Sequence, residues 1–257
     1  RLWYMNRNRL WHWPNILGLD AAWIAVCWQT YLEGSYFRLS TATTLGLCVW
    51  LTYMADRLFD VRSRSEKDLL SLRHRFTKKY YQKIWIIWWS ILLITIIHAF
   101  SFLDTLQIRN GSILLLACLA YTLMNQLLAK YFFPKEICVA ILFTCGILIF
   151  TEKLISWQLA SAMICLYFLN CLLIGYKERQ IDKLLKIHSL SSVPLLLELT
   201  MIVTLIIGIY TGITILVTFI FLLMLYVVKT KINAEDFRVA ADAILLLGPL
   251  IYWLLYD

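Results

Sequence analysis

Long apolar runs, separated by short charged segments, recur along the whole chain and limit the folds open to it. A helix needs roughly 20 mostly apolar residues to cross the hydrocarbon of a bilayer, and about 17 are tolerated. The sequence is 61% hydrophobic and only 16% charged, whereas soluble domains have about 25% charged residues. It therefore predicts an all-α polytopic membrane protein. We place nine transmembrane helices at 14–31, 39–56, 84–102, 112–129, 136–151, 157–175, 193–210, 212–228 and 239–255.

The distribution of lysines and arginines tests these nine predicted spans and predicts how they are oriented in the membrane. If the N-terminus lies inside, the inner segments hold all the lysines and arginines except Arg38, Arg109 and Lys153. Cytoplasmic loops of membrane proteins carry such an excess, so the pattern predicts a multi-pass protein with a cytoplasmic N-terminus. The net charge of +8 is then a topology signal that also attracts anionic membrane lipid, and it does not indicate nucleic acid. No stretch rich in Pro, Gly or Ser divides the chain, so residues 1–257 are predicted to form one transmembrane domain.

Two similar acidic motifs lie four predicted spans apart, both on the cytoplasmic side. The first is Asp56-Arg57-Leu58-Phe59-Asp60, at the end of the second span. The second is Glu178-Arg179-Gln180-Ile181-Asp182, after the sixth span. This spacing indicates two four-helix repeats followed by a ninth helix. Repeats in membrane proteins often place the functional site between the two halves.

The spacing within each motif has a chemical use. Residues i and i+4 share one face of a helix. The side chains of Asp56 and Asp60 can therefore point in the same direction, as can those of Glu178 and Asp182. Four carboxylates at one site cannot all stay ionised without cations. Magnesium typically binds a few carboxylates together with phosphate oxygens, and the arginine of each motif can bind phosphate. The motifs predict a shared magnesium and phosphate site, and the alternative is that each is only a charged helix end.

These motifs and the helix count resemble the UbiA superfamily of intramembrane aromatic prenyltransferases. Thr52 to Asp60 lies where that family has Asn-Asp-x-x-Asp-x-x-x-Asp, and Asn170 to Asp182 lies where its second signature follows the sixth helix. The resemblance implies a UbiA-like fold. It also implies transfer of an isoprenyl group from a polyprenyl diphosphate to an aromatic or lipid acceptor, with Mg²⁺ as cofactor.

Carried over to this chain, the resemblance gives the motif residues three roles. The metal ligands would be Asp56, Asp60, Glu178 and Asp182. The diphosphate contacts would be Arg57, Arg179 and, from a Phe-Pro-Lys-Glu segment that is similar in style to the family, Lys135. The residues expected to line the cavity at the motif positions are Thr52, Tyr53 and Asn170.

Two acids inside predicted spans are also of interest, because intramembrane acids are costly and usually face a cavity or a partner. Asp20, about two turns into the first span, is expected to line a polar cavity. Asp242 follows Arg238 by one turn, which predicts an ion pair within the ninth helix.

The departures from the family motif keep a second function open. Thr52 and Tyr53 stand where the family has an amide and an acid. The alternative is therefore a catalytically degenerate UbiA-like subunit that binds lipid, quinone or pigment within a larger membrane complex. A transporter is a weaker third alternative, since no span is broken near its middle by Gly or Pro in both halves.

The segment 57–83 is the longest polar stretch and carries Arg73, Arg75, Lys78, Lys79 and Lys83. Two interpretations of these charges remain open at this point. They anchor the segment at the cytoplasmic surface, or they belong to an amphipathic cap that closes over a bound diphosphate.

Overall fold

The computed structural model describes residues 10–62, 64–65, 69, 71–128, 134–184, 190 and 193–256, and only the backbone at 35, 126, 128, 180–184, 255 and 256. These residues are helical almost throughout, and no strand occurs among them. The α-helices are α1 (Trp13–Leu17), α2 (Leu19–Glu33), α3 (Leu39–Arg62), α4 (Leu72–Lys79), α5 (Tyr81–Phe102), α6 (Thr105–Leu128), α7 (Lys135–Ile149), α8 (Trp157–Leu184), α9 (Pro194–Thr211), α10 (Ile213–Val227) and α11 (Ala234–Tyr256).

The predicted spans fall in order on α1 with α2, then on α3 and on α5 to α11. Within the described residues, five helices are long and apolar enough to cross a membrane, namely α5, α6, α8, α9 and α11. Helix α10 is apolar but shorter. The expectation of an all-α, membrane-embedded chain is therefore confirmed for the described part, whereas the count of nine spans stays a prediction.

The first span is divided in two by Gly18. This residue ends α1 with a φ of 71°, in the left-handed region that glycine adopts most readily. Its backbone N–H donates to the carbonyl of Asn15 at 3.2 Å. A side chain at this position would also meet the Met54 sulfur at 3.0 Å. The kink lets α1 lie across the end of α3, where the first acidic motif begins.

Helices α2, α8 and α11 form the centre of the bundle. Helix α2 packs against α3, α7 and α11, and α8 packs against α7, α9 and α11. Trp28 of α2 is fully buried and its indole N–H donates to the Leu245 carbonyl of α11 at 2.9 Å. By contrast, α5 and α6 expose most of their apolar side chains, as expected for helices that face lipid.

Gly248 provides a stability prediction, because a Cβ there would overlap the Thr218 hydroxyl and lie 3.1 Å from the Thr214 carbonyl. Small residues allow helices such as α10 and α11 to approach closely in membranes. We expect Gly248→Ala to lower the free energy of unfolding by roughly 1–3 kcal/mol, the usual cost of overpacking. Thermal unfolding followed with a thiol-reactive dye measures this.

Gly111 of α6 is the matched control, since a Cβ at that helical position meets nothing within 4 Å. Gly111→Ala should leave stability unchanged or raise it by up to about 1 kcal/mol through helix propensity. Equal effects of the two substitutions would contradict the close α10–α11 contact.

Candidate functional site

Charged side chains from four helices meet at one end of the bundle, and we call this group the polar site. It comprises Tyr53 and Asp56 of α3, Arg73 of α4, Glu178 of α8 and Arg238 of α11. The first three lie at or beside the first acidic motif, and Glu178 opens the second. The two motifs, which are more than 100 residues apart in sequence, thus reach the same end of the fold.

Arg73 connects the two motifs directly. One guanidinium nitrogen donates to the Tyr53 hydroxyl at 3.2 Å, and the other lies 3.9 Å from a Glu178 carboxylate oxygen. Helix α4, which carries Arg73, packs against α1, α3 and α5. Its first turn is capped by Ser71, whose hydroxyl accepts from the backbone N–H of His74. Arg73 thus faces the polar site, and a cap that closes over a diphosphate stays a prediction.

Glu178 is held most closely by Arg238, with which it forms an ion pair inside the bundle. The Arg238 side chain is only 2% exposed, and its other terminal nitrogen lies 3.1 Å from a Glu235 oxygen. Glu235 in turn accepts from the backbone N–H of Leu72 at 3.0 Å. Helices α4, α8 and α11 are therefore joined by one chain of charged contacts.

Asp56 and Asp60 lie one turn apart on α3 with different surroundings. The Oδ1 atom of Asp56 is buried and has no hydrogen-bond partner among the described residues. Lys135, Arg73 and Arg57 are within electrostatic range of that carboxylate. Asp56 therefore has an unpartnered buried oxygen, with the Asp60 carboxylate and these three cations nearby.

His74 approaches Asp60, with 3.8 Å between its Nε2 and a carboxylate oxygen. Burial, reinforced by the positive charges of Arg73 and Arg57, holds the pKa of His74 well below its usual value of 6.5. The imidazole is consequently neutral near pH 7 and does not neutralise the Asp60 carboxylate.

A second buried polar group lies deeper in the bundle. The Asn15 amide nitrogen donates to Asp20 at 2.5 Å and lies 3.3 Å from Asp242, and the Asn170 amide nitrogen donates to Asp242 at 3.2 Å. Asp20 is thus buried among polar groups, and its place on a polar cavity stays a prediction. The partners of Asp242 are these two amides and the Asp20 carboxyl instead of Arg238, because Arg238 pairs with Glu178 and Glu235.

The remaining predicted residues have separate positions. Arg57 is 2% exposed, donates to the Ile16 carbonyl at 3.0 Å and lies over the Tyr53 ring, so it also fastens α1 to α3. Arg179 has a buried Nε without a hydrogen-bond partner in the described part of the chain. Thr52 donates to the carbonyl of its own helix at Cys48. The Asp182 side chain lies outside the described residues.

Magnesium fits the first motif better than the second. Asp56 offers an orphaned buried oxygen, and Asp60 follows it on the same helix face, which suits an ion that also binds phosphate oxygens and water. Glu178 is engaged by two arginines. No group of three or more His, Cys, Asp or Glu side chains within the described residues is arranged to hold a metal, so a bound phosphate would have to complete the coordination.

The motifs do not predict three polar side chains of this region, namely Asn15, His74 and Glu235. Each had only a weak signal in the sequence. Asn15 is an amide inside an apolar span, and Glu235 precedes Arg238 by one turn. His74 follows Arg73 in a segment rich in positive charge.

Comparison with models of protein families, with curated proteins and with solved structures finds no match to this chain. The UbiA resemblance therefore remains a prediction that depends on the motifs and on the site geometry described above.

Proposed function

We propose that this chain is a UbiA-like intramembrane prenyltransferase, which moves an isoprenyl group from a polyprenyl diphosphate to an aromatic or lipid acceptor with magnesium. The observation that carries the proposal is that Arg73 contacts Tyr53 and Glu178 and lies within electrostatic range of Asp56. Charged side chains inside a bundle of apolar helices are costly and usually mark a functional site. Mixed charge at this position suits a diphosphate that arrives with a divalent cation.

The proposal includes nine membrane spans and a cytoplasmic polar site. Two observations support it. A helix underlies each predicted span, and nearly all lysines and arginines fall in the segments assigned to the inner face. The headgroup of the donor would then enter from the cytoplasm while its tail stays between helices.

The proposed reaction needs stabilisation of a leaving group. The allylic C–O bond breaks, the diphosphate leaves with the bonding electron pair, and the acceptor forms the new bond to carbon and releases a proton. Arg73, Lys135 and Arg179 would neutralise the departing diphosphate. A magnesium ion bound by Asp56 and Asp60 would add to this neutralisation.

The direct test is binding of geranylgeranyl diphosphate to the purified protein in lipid nanodiscs. We expect titration calorimetry to show binding in the presence of magnesium chloride and at least tenfold weaker binding with EDTA, because the carboxylates then repel the phosphate. Equal binding with and without magnesium would contradict a metal-dependent donor site. No binding in either condition would exclude the prenyltransferase.

A second function is favoured by the contacts of Glu178. Because Arg238 and Arg73 already neutralise this carboxylate, Glu178 does not need a metal ion to balance its charge. This supports the alternative of a non-catalytic UbiA-like subunit that binds lipid, quinone or pigment in a larger membrane complex. Such a subunit would co-purify with partner proteins from native membranes and show no turnover, whereas an active isolated monomer would exclude it.

A further inference from the structure

A long apolar groove lies on the outside of the bundle, and its lining includes none of the polar-site residues. It is walled by α2, α3 and α5, and the end of α4 closes it with Phe76. Its volume is about 760 Å³, within the range of roughly 300–1,000 Å³ of ligand pockets. Several of its walls are exposed, including Trp23, Leu39 and Ile87, so the groove opens along its length toward the surroundings of the bundle.

The shape of the groove suits an extended hydrocarbon chain. Its α3 wall runs from Leu39 to Met54, a rise of roughly 22 Å, against a hydrocarbon thickness of about 30 Å. The polar side-chain groups on this wall are the exposed Thr43 hydroxyl and the Trp50 indole N–H. The indole N–H is already engaged, since it donates to the Leu17 carbonyl at 2.9 Å. The walls therefore offer mainly apolar contacts to a bound molecule.

One end of the groove is positively charged. Lys83 lines it, and the ammonium groups of Lys79 and Lys83 lie 5.3 Å and 6.0 Å from the centre of the Tyr80 ring. Both lysines are exposed. The described residues that line the groove include no acid. Two cations at the end of an apolar slot complement a lipid whose headgroup is anionic.

We propose that this groove binds one anionic phospholipid, with an acyl chain along α3 and its phosphate beside Lys79 and Lys83. The site differs from the donor site proposed above, and it does not depend on catalysis. Phe76 and Tyr80 form its end wall, while Arg73 and His74 on the same short helix reach the polar site. The bound lipid therefore stabilises α4 in its position over that site.

The test is native mass spectrometry of the full chain titrated with dioleoyl phosphatidylglycerol or dioleoyl phosphatidylcholine. The two probes have the same chains and differ in headgroup charge. We expect the wild type to retain one phosphatidylglycerol in preference to phosphatidylcholine. Each lysine beside an anionic lipid contributes about a fivefold gain in affinity. The double variant Lys79→Gln/Lys83→Gln should lose most of the preference, about thirtyfold.

Two controls make the result specific. Lys229→Gln/Lys231→Gln removes the same charge after α10, where Lys229 also lies over a tyrosine ring, and should keep the preference. Thr43→Trp fills the groove from its exposed wall and should abolish retention of both lipids, whereas Ser112→Trp on the exposed face of α6 should not. These variants preserve the buried core, so loss of folding does not explain the outcome.

Hydrogen exchange reports the effect on α4. Phosphatidylglycerol should slow exchange of the amides of Leu72–Lys79 in the wild type and leave it unchanged in Lys79→Gln/Lys83→Gln. Equal retention of the two lipids by the wild type, or unchanged retention in Thr43→Trp, would overturn the proposal. So would a dimer lost in Thr43→Trp, which would show that a second copy covers the groove. No diphosphate or magnesium is used, so failure here is separate from failure of the donor site.

Discussion

Replacing Asp56 by asparagine is expected to lower magnesium-dependent prenyl transfer by roughly 100- to 1,000-fold, the usual loss when one group that stabilises developing charge is removed. The substitution keeps the size of the side chain and removes its charge. It should not unfold the protein, because the buried Oδ1 has no hydrogen-bond partner to lose among the described residues. Single-turnover conversion of radiolabelled geranylgeranyl diphosphate, with added quinone precursors as acceptors, measures the loss.

The same substitution at Asp60 should have a similar effect, since both carboxylates are assigned to one ion. Asp104→Asn is the matched control. Asp104 lies between α5 and α6, where its carboxylate accepts from the backbone N–H of Gln107 at 2.7 Å, and asparagine also caps helices well. Unchanged turnover in both Asp56→Asn and Asp60→Asn would rule out the first motif as the metal site.

The loss should also depend on the magnesium concentration. If Asp56 binds the ion, more magnesium restores part of the activity of Asp56→Asn, because Asp60 and the phosphate oxygens still provide ligands. If Asp56 only positions Arg73 or Lys135, added magnesium has no such effect. The magnesium dependence thus separates a metal ligand from a residue that acts through its neighbours.

The positions of the helices follow from the sequence because the membrane leaves few choices. A backbone group in hydrocarbon must be hydrogen-bonded within its own segment, so each long apolar run becomes a helix. Polar segments have no such constraint. Half of the residues of helix α4 are arginine or lysine, and its position depends on contacts with α1, α3 and α5. The sequence therefore left its role as cap or anchor undecided.

The acidic motifs could be predicted in part. The i, i+4 spacing of Asp56 and Asp60 depends only on helix geometry. The partners of Glu178 depend on tertiary packing, since Arg238 comes from α11 and Arg73 from α4. The intrahelical pair of Arg238 with Asp242 was expected for the local spacing, but the longer-range contacts to Glu178, Asn15 and Asn170 take precedence. Local spacing predicts which acids share a face, and it does not predict which cation neutralises them.

Replacing Arg238 by leucine should be the most destabilising single change at the polar site. Removing one partner of a buried ion pair leaves the other charge uncompensated and typically costs about 3–5 kcal/mol. Arg73 remains 3.9 Å from Glu178 and compensates only in part. The combined variant Glu178→Leu/Arg238→Leu should regain only part of the stability, because both charges of the pair are then absent but Arg73 and Glu235 each lose a partner. Thiol-dye unfolding is suitable, since all seven cysteines are free and partly buried.

The Arg38–Glu152 pair is the control for this double-mutant cycle of Glu178 and Arg238. Its atoms are 2.7 Å apart, but Arg38 is 63% exposed, and exposed pairs contribute only about 0–1 kcal/mol. Arg38→Leu should therefore cost far less than Arg238→Leu. Similar losses for the two variants would mean that Arg238 is not the buried partner of Glu178.

The same cycle can also separate the two proposed functions. The coupling energy between Glu178 and Arg238 is obtained from the single and double variants, first alone and then with magnesium and geranylgeranyl diphosphate. If Glu178 turns to a metal ion when the donor binds, its coupling to Arg238 falls. If the chain is a non-catalytic subunit, Glu178 stays with Arg238 and the coupling does not change. An unchanged coupling energy together with tight donor binding would mean that the metal ion binds only at the first motif, at Asp56 and Asp60.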